Sequence, residues 1–160
     1  MTPPWGAVYA HNEAHILVDE CGAPEFYTAG AKMVGLPGEH GKITAATLAT
    51  TLTHSDKGNI HHNQPAAVSL SQATECGTVY TPAEIGAIDE AARSHGLPLH
   101  MDGARFANAL IKLGCRPAEV TWKSGVDILS FGGTKNGALM AEAIVVFRLD
   151  LAETLAYRRK

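Results

Sequence analysis

Cysteine is scarce in this chain, and the few present do not pair. Cys21, Cys76 and Cys115 are three in 160 residues, an odd number with no C-x-x-C spacing. That speaks against a disulfide framework and against a structural zinc site, and leaves reduced thiols in a cytoplasmic setting as the simple reading. Basic residues are not in excess either. Thirteen Lys and Arg against sixteen Asp and Glu give a net charge of −3, so the electrostatic footprint of a nucleic-acid binder is missing. Apolar runs of membrane-spanning length are also missing, so no membrane partner is expected. The opening residues MTPPWGAVYAHNEAH carry no basic segment followed by an apolar one, so no signal peptide is visible. No internal repeat, low-complexity tract or linker interrupts the chain.

What is present is ordinary globular composition, 46% hydrophobic and 18% charged, enough for one core and a single domain over 1–160. Six short apolar segments read as strands: GAVYA, AKMVGLPG, PAAVSLSQ, LPLHMDG, VDILSFGG and EAIVVFR. Each is almost continuously apolar or ends so, as strands covered on both faces tend to be. Helical patterns lie between them. ITAATLATTLTHSD spaces Ile43, Ala46, Leu48 and Leu52 at roughly helical intervals. TPAEIGAIDEAARSHG has Thr81 as N-cap, Pro82 at the first helical position and Glu84 three after the cap, a face of Ile85, Ile88 and Ala92, and Gly96 as a stop. ARFANALIKLG repeats the form with Phe106, Leu110, Leu113 and Gly114. The alternation predicts an α/β fold with a mostly parallel sheet and helices on both faces. Ligands of such sheets bind beyond the carboxyl ends of the strands.

Three stretches carry candidate chemistry. Lys135 follows the strand segment DILSFGG and is either a solvated turn lysine or an amine held for chemistry. A P-loop is excluded by order, because Thr134 precedes the lysine and Asn136 follows it. A Schiff-base lysine needs a partly desolvated amine at a strand end, and Gly132, Gly133 and Gly137 are expected to leave room for a cofactor. Asp102 in HMDGARF is either a helix N-cap or a carboxylate beneath a pyridoxal ring, where it would keep the ring nitrogen protonated. Arg105 projects from the next helical turn toward the same place. Third, His11, Glu13 and His15 lie close in sequence, but neither the H-E-x-x-H pattern nor the H-x-E deaminase pattern is complete, so no metal is assigned. His15 opens a helical stretch and is placed to stack on an aromatic cofactor. His61 and His62, just before a strand, are loop histidines by default.

Taken together, HILVDECGAPEF, QATECGTVYTPAEI, LHMDGARFANAL and DILSFGGTKNG resemble the low-specificity L-threonine aldolases. These are pyridoxal-phosphate lyases of fold type I, in the beta-eliminating lyase family. The resemblance covers nearly the whole chain and implies the central part of the large domain of that fold. It implies pyridoxal 5'-phosphate as cofactor and a small amino acid as substrate. The implied reaction is cleavage of a β-hydroxy-α-amino acid such as threonine into glycine and an aldehyde, by a homo-oligomer (dimer or tetramer). Residue by residue, Lys135 matches the lysine that bonds the cofactor, and Asp102 the partner of the pyridine nitrogen. Arg105 matches the arginine near the cofactor hydroxyl and substrate carboxylate. His15 matches the stacking histidine, and His61 a histidine near the substrate hydroxyl, a place His62 competes for.

The family's upstream glycine-rich phosphate loop and its smaller C-terminal domain have no match here. The chain is therefore expected to be a piece of the large domain, and Arg158 and Arg159 are not assigned the role of the C-terminal carboxylate-binding arginine. Alternatives are another enzyme of the same fold, a β-eliminating lyase or racemase, or a catalytically inactive fragment.

Overall fold

A computed structural model describes residues 2–160. Six strands form one sheet: β1 (Gly6–His11), β2 (Lys32–Leu36), β3 (Gln64–Ser71), β4 (Leu99–Gly103), β5 (Ile128–Gly132) and β6 (Glu142–Val146). Their order is β2-β1-β3-β4-β5-β6. All neighbours are parallel except β5 and β6, which pair antiparallel, so the sheet is mostly parallel as the alternation predicts.

The two-residue period of a strand sorts the sheet into two unlike faces. Tyr9, Val68, Leu70, Leu99, Met101 and Leu129 point to one side and make the main apolar core. Three helices cover that side: α3 (Ala45–Thr53), α4 (Pro82–Arg93) and α5 (Phe106–Leu113). Leu48 and Leu52 of α3, Ile85, Ile88 and Ala92 of α4, and Phe106 of α5 are buried in the same core. The opposite side carries Ser69, Ser71, His100, Asp102 and Ser130, with β3, β4 and β5 in register. Only short helices lie there: α1 (His15–Val18), α2 (Ala23–Tyr27) and α6 (Leu155–Arg159). Helices thus lie on both faces, but the longer ones share one side and leave the polar side open to a cleft.

Local chemistry explains the helix limits. α4 starts in a complete capping box: Thr81 accepts from Glu84 N–H while the Glu84 carboxylate accepts from Thr81 N–H. Its chain leaves through Gly96 at φ +76°, a left-handed conformation glycine takes without strain. α3 begins two residues later than its apolar spacing suggests, after Thr44, whose hydroxyl caps Thr47 N–H. Ile43 therefore sits before the helix, buried, and Ala46 is exposed.

β6 departs from the expectation of strands covered on both faces. It is an edge strand and nearly all of it is exposed. An apolar run reports hydrophobicity, and an edge position satisfies the same run with only one neighbour. On the other flank of β5, Asp127 ties the crossover shut. It is only 3% exposed; one oxygen accepts Leu99 N–H at 2.8 Å and the other faces Arg93 at 3.3 Å.

Candidate active site

The cleft opens at the carboxyl ends of β4 and β5. Asp102 stands near the end of β4, in register with Ser71 on β3 and Ser130 on β5. Its Oδ1 accepts the Ala104 N–H at 3.0 Å, which pins the carboxylate in the turn that leads into α5. The cap position of α5 itself is Arg105, so Asp102 is a turn residue and not the helix N-cap. Lys135 lies in a single 3-10 turn, Thr134–Asn136, directly after β5. Asn136 fastens that turn to the start of α5: its Oδ1 accepts Ala107 N–H at 3.1 Å, and its Nδ2 donates to Ala104 O at 3.2 Å and to Gly132 O. The crossover between β4 and β5 lets Asp102 and Lys135 meet, and Asn136 makes the connection.

From the other side, α1 brings His15. The His15 N–H donates to Glu75 Oε1 at 3.0 Å, and the same oxygen accepts the Ser71 hydroxyl at 2.9 Å. Its ring Nδ1 meets Glu20 Oε1 at 2.8 Å. Ring and backbone are thus held by two different carboxylates. The resulting cleft of about 420 Å³ is lined by His15, His100, Asp102, Arg105, Ser130 and Lys135, with the carboxylates of Glu20 and Glu142 at its border. Two cations, Arg105 and Lys135, therefore face three carboxylates across a small space. The floor holds His100, whose ring bridges Ser69 Oγ and Ser130 Oγ, each at 2.9 Å. Burial holds its pKa below the ordinary imidazole value, against the opposing pull of the Asp102 charge.

Four of the candidate residues, His15, Asp102, Arg105 and Lys135, share this cleft. Within one chain, His61 is not brought to this cleft. It sits in the loop before β3, its N–H bonded to Asn59 Oδ1 at 3.0 Å. The cleft lies at the other end of that strand, and eight extended residues span roughly 26 Å. His62 lies in the same loop, 3.4 Å from Asp56. Two of the glycines around Lys135 have a packing role as well. A Cβ on Gly132 would come within 3.1 Å of Ala104 Cα, and one on Gly133 within 2.8 Å of Ala141 O, so these two let the chain pack on itself. His100, Ser130, Asn136 and Glu142 were not singled out in the sequence. The signal available for the first two was a polar side chain inside each of two apolar strands.

The profile of the beta-eliminating lyase family matches residues 1–160. The chain belongs to that family. It is 50% identical over 154 residues to the low specificity L-threonine aldolase of Pseudomonas aeruginosa, a match covering 96% of this chain and 44% of that protein. Among solved structures, the threonine aldolase of Leishmania major superposes with a TM-score of 0.85 at 32% identity, over 96% of this chain and 44% of that one. Cystalysin from Treponema denticola, a structure that contains pyridoxal 5'-phosphate, shares the fold at 14% identity, TM-score 0.66, over 99% of this chain and 40% of its own. The chain thus spans less than half the length of each of these three proteins. The resemblance read from the four motifs and the mostly parallel α/β architecture both agree with these matches.

Proposed function

We propose that this chain carries the cofactor and substrate cleft of a pyridoxal-phosphate lyase that cleaves the Cα–Cβ bond of β-hydroxy-α-amino acids such as L-threonine, giving glycine and an aldehyde. One observation carries the reading. A lysine, a strand-end carboxylate, an arginine and a helix-borne histidine, far apart in sequence, line a single cleft at the carboxyl end of the sheet.

The donor set fits pyridoxal 5'-phosphate. Lys135 offers an amine for its aldehyde, Asp102 a carboxylate for its ring nitrogen, His15 an imidazole for its ring face, and Arg105 a cation for an anionic oxygen. When bound, that cofactor supplies the sink for the electron pair released at Cα. The chain's own residues do the rest. Asp102, its plane fixed by Ala104 N–H, holds a proton opposite its free oxygen. Arg105 orients an amino-acid carboxylate through charge and paired N–H donors. His15 gives its Nδ1 to Glu20, which leaves Nε2 as the ring nitrogen able to accept the proton of a β-hydroxyl group. His61 enters this reading only as a group outside the single-chain cleft.

The relatives' names support threonine as substrate, and the three unpaired cysteines agree with a cytoplasmic setting. The same reading puts the protein on the glycine-forming side of amino-acid metabolism. A homo-oligomer is supported by exposed apolar side chains around β6, including Met140, Ile144 and Leu149. The test is to supply L-threonine, L-allo-threonine and phenylserine with pyridoxal phosphate and to measure glycine together with the matching aldehyde. Equimolar glycine and aldehyde, lost in Lys135→Ala, bear the reading out. Release of ammonia and a keto acid, or interconversion of enantiomers without cleavage, would assign one of the other chemistries of this fold.

A further inference from the structure

The cleft floor contains a hydrogen-bonded chain that the proposed reaction does not use. Ser69 on β3, His100 on β4 and Ser130 on β5 point to the same side of the sheet. His100 Nδ1 lies 2.9 Å from Ser69 Oγ, and His100 Nε2 lies 2.9 Å from Ser130 Oγ. A neutral imidazole has one N–H and one bare nitrogen, so it donates to one serine and accepts from the other. The chain therefore has a direction.

Ser69 sets it. Its side chain is buried, 3% exposed, and among the described residues its hydroxyl has no hydrogen-bond partner but His100. A buried O–H without an acceptor is costly, so the Ser69 hydrogen points to Nδ1. The ring proton then lies on Nε2 and is donated to Ser130 Oγ. Ser130 is less buried than Ser69 and lines the cleft. Its oxygen already accepts from His100, so its own hydrogen is free to donate outward. Asp102 is its register partner on β4.

We propose that Ser130 is a ligand-binding hydroxyl, held as an outward hydrogen-bond donor by the Ser69–His100–Ser130 chain and aimed at an anionic oxygen next to Asp102. His100 and Ser69 are positioning residues that act through it. The identity of the ligand rests on the proposed function; the direction of the chain does not. An aliphatic hydroxyl donating to a charged oxygen is worth enough that its loss weakens binding roughly tenfold or more. The anionic oxygen belongs either to the cofactor ring or to the amino-acid carboxylate.

Two measurements test this. Long-range proton–nitrogen NMR of the ¹⁵N-labelled protein reads which nitrogen of His100 is protonated, without any ligand. The expected result is Nε2–H in the wild type and loss of that preference in Ser69→Ala. Titrations of pyridoxal phosphate, and of glycine into the cofactor-loaded protein, are then compared for wild type, Ser130→Ala and Ser130→Thr. Weakening of the first titration by Ser130→Ala assigns the oxygen to the cofactor, and weakening of the second alone assigns it to the amino acid. In either case Ser130→Thr, which keeps the hydroxyl, should recover most of the affinity. A wild-type Nδ1–H ring with cofactor binding intact overturns this inference and leaves the proposed function standing. Equal affinities for wild type and Ser130→Ala in both titrations overturn it as well. If the wild type binds no pyridoxal phosphate, the proposed function falls and takes the ligand of Ser130 with it.

Discussion

Lys135 owes its position to its neighbour. Asn136 bonds the turn to Ala104, Ala107 and Gly132, and so ties the lysine to the strand end that carries Asp102. Replacing Asn136 by Ala removes all three bonds. We expect a loss of about 1–3 kcal/mol in urea unfolding and a larger relative loss of pyridoxal phosphate affinity, because the amine is no longer held over the cleft. Unchanged affinity would show that the turn keeps its shape by other means. His100 makes a prediction about pH. Its native pKa lies below that of the unfolded chain, so the unfolded state takes up its proton first as pH falls. Its contribution to stability is thus intact above about 6.5 and declines as pH drops from there toward the lowered native value. In His100→Asn the stability curve should be flatter across that window, and a slope equal to wild type would contradict the assignment. At this scale the sequence was legible where a residue type is rare in its place. A lysine after a glycine-flanked strand and an aspartate closing an apolar one stand out. Asn136 and Ser130 do not, since their value comes from partners that are distant along the chain. The place of the His61 loop was not legible either, because a motif match carries no information on which end of a strand a loop occupies.

Among the elements, helices with chemical punctuation were the easiest to read. Thr81, Pro82 and Glu84 predicted the start of α4, and Thr81 and Glu84 form the observed capping box with Pro82 in the first turn. Thr81→Ala should cost about 1 kcal/mol in thermal or urea unfolding, with the cleft unaffected. The crossover before β5 was not legible as a unit. Its anchor, Asp127, looks in sequence like an ordinary turn acid, yet it is buried and serves Leu99, Arg93 and Arg148. Asp127→Ala leaves a buried N–H unpaired. It also frees two arginines that are partly exposed and so lose less, and the expected cost is about 2–3 kcal/mol. A cost below about 0.5 kcal/mol would mean that water substitutes for the carboxylate. β6 was recognised as a strand but not as an edge, since apolar content does not distinguish a strand with two neighbours from a strand with one.

At the scale of the whole molecule, the sheet divides labour between its faces. One side is filled by Leu, Ile, Val and Met beneath α3, α4 and α5 and supplies stability. The other presents Ser130, His100 and Asp102 to a cleft and supplies the candidate chemistry. The alternation of polar and apolar residues in LHMD and VSLS recorded this division, although the near-continuous hydrophobicity of the strands masked it. The exposed apolar groups near β6 predict self-association. Sedimentation should show species heavier than one chain, and Met140→Asp with Ile144→Lys should shift the balance toward the monomer. The claim on which the rest depends is that Lys135 is the amine that bonds pyridoxal phosphate in this cleft. Borohydride reduction of the cofactor-loaded protein, followed by peptide mass mapping, tests it most directly. The account predicts one pyridoxyl group, on Lys135, and none in Lys135→Arg. A label spread over surface lysines such as Lys57, Lys112 or Lys123, or a label undiminished in Lys135→Arg, would contradict it.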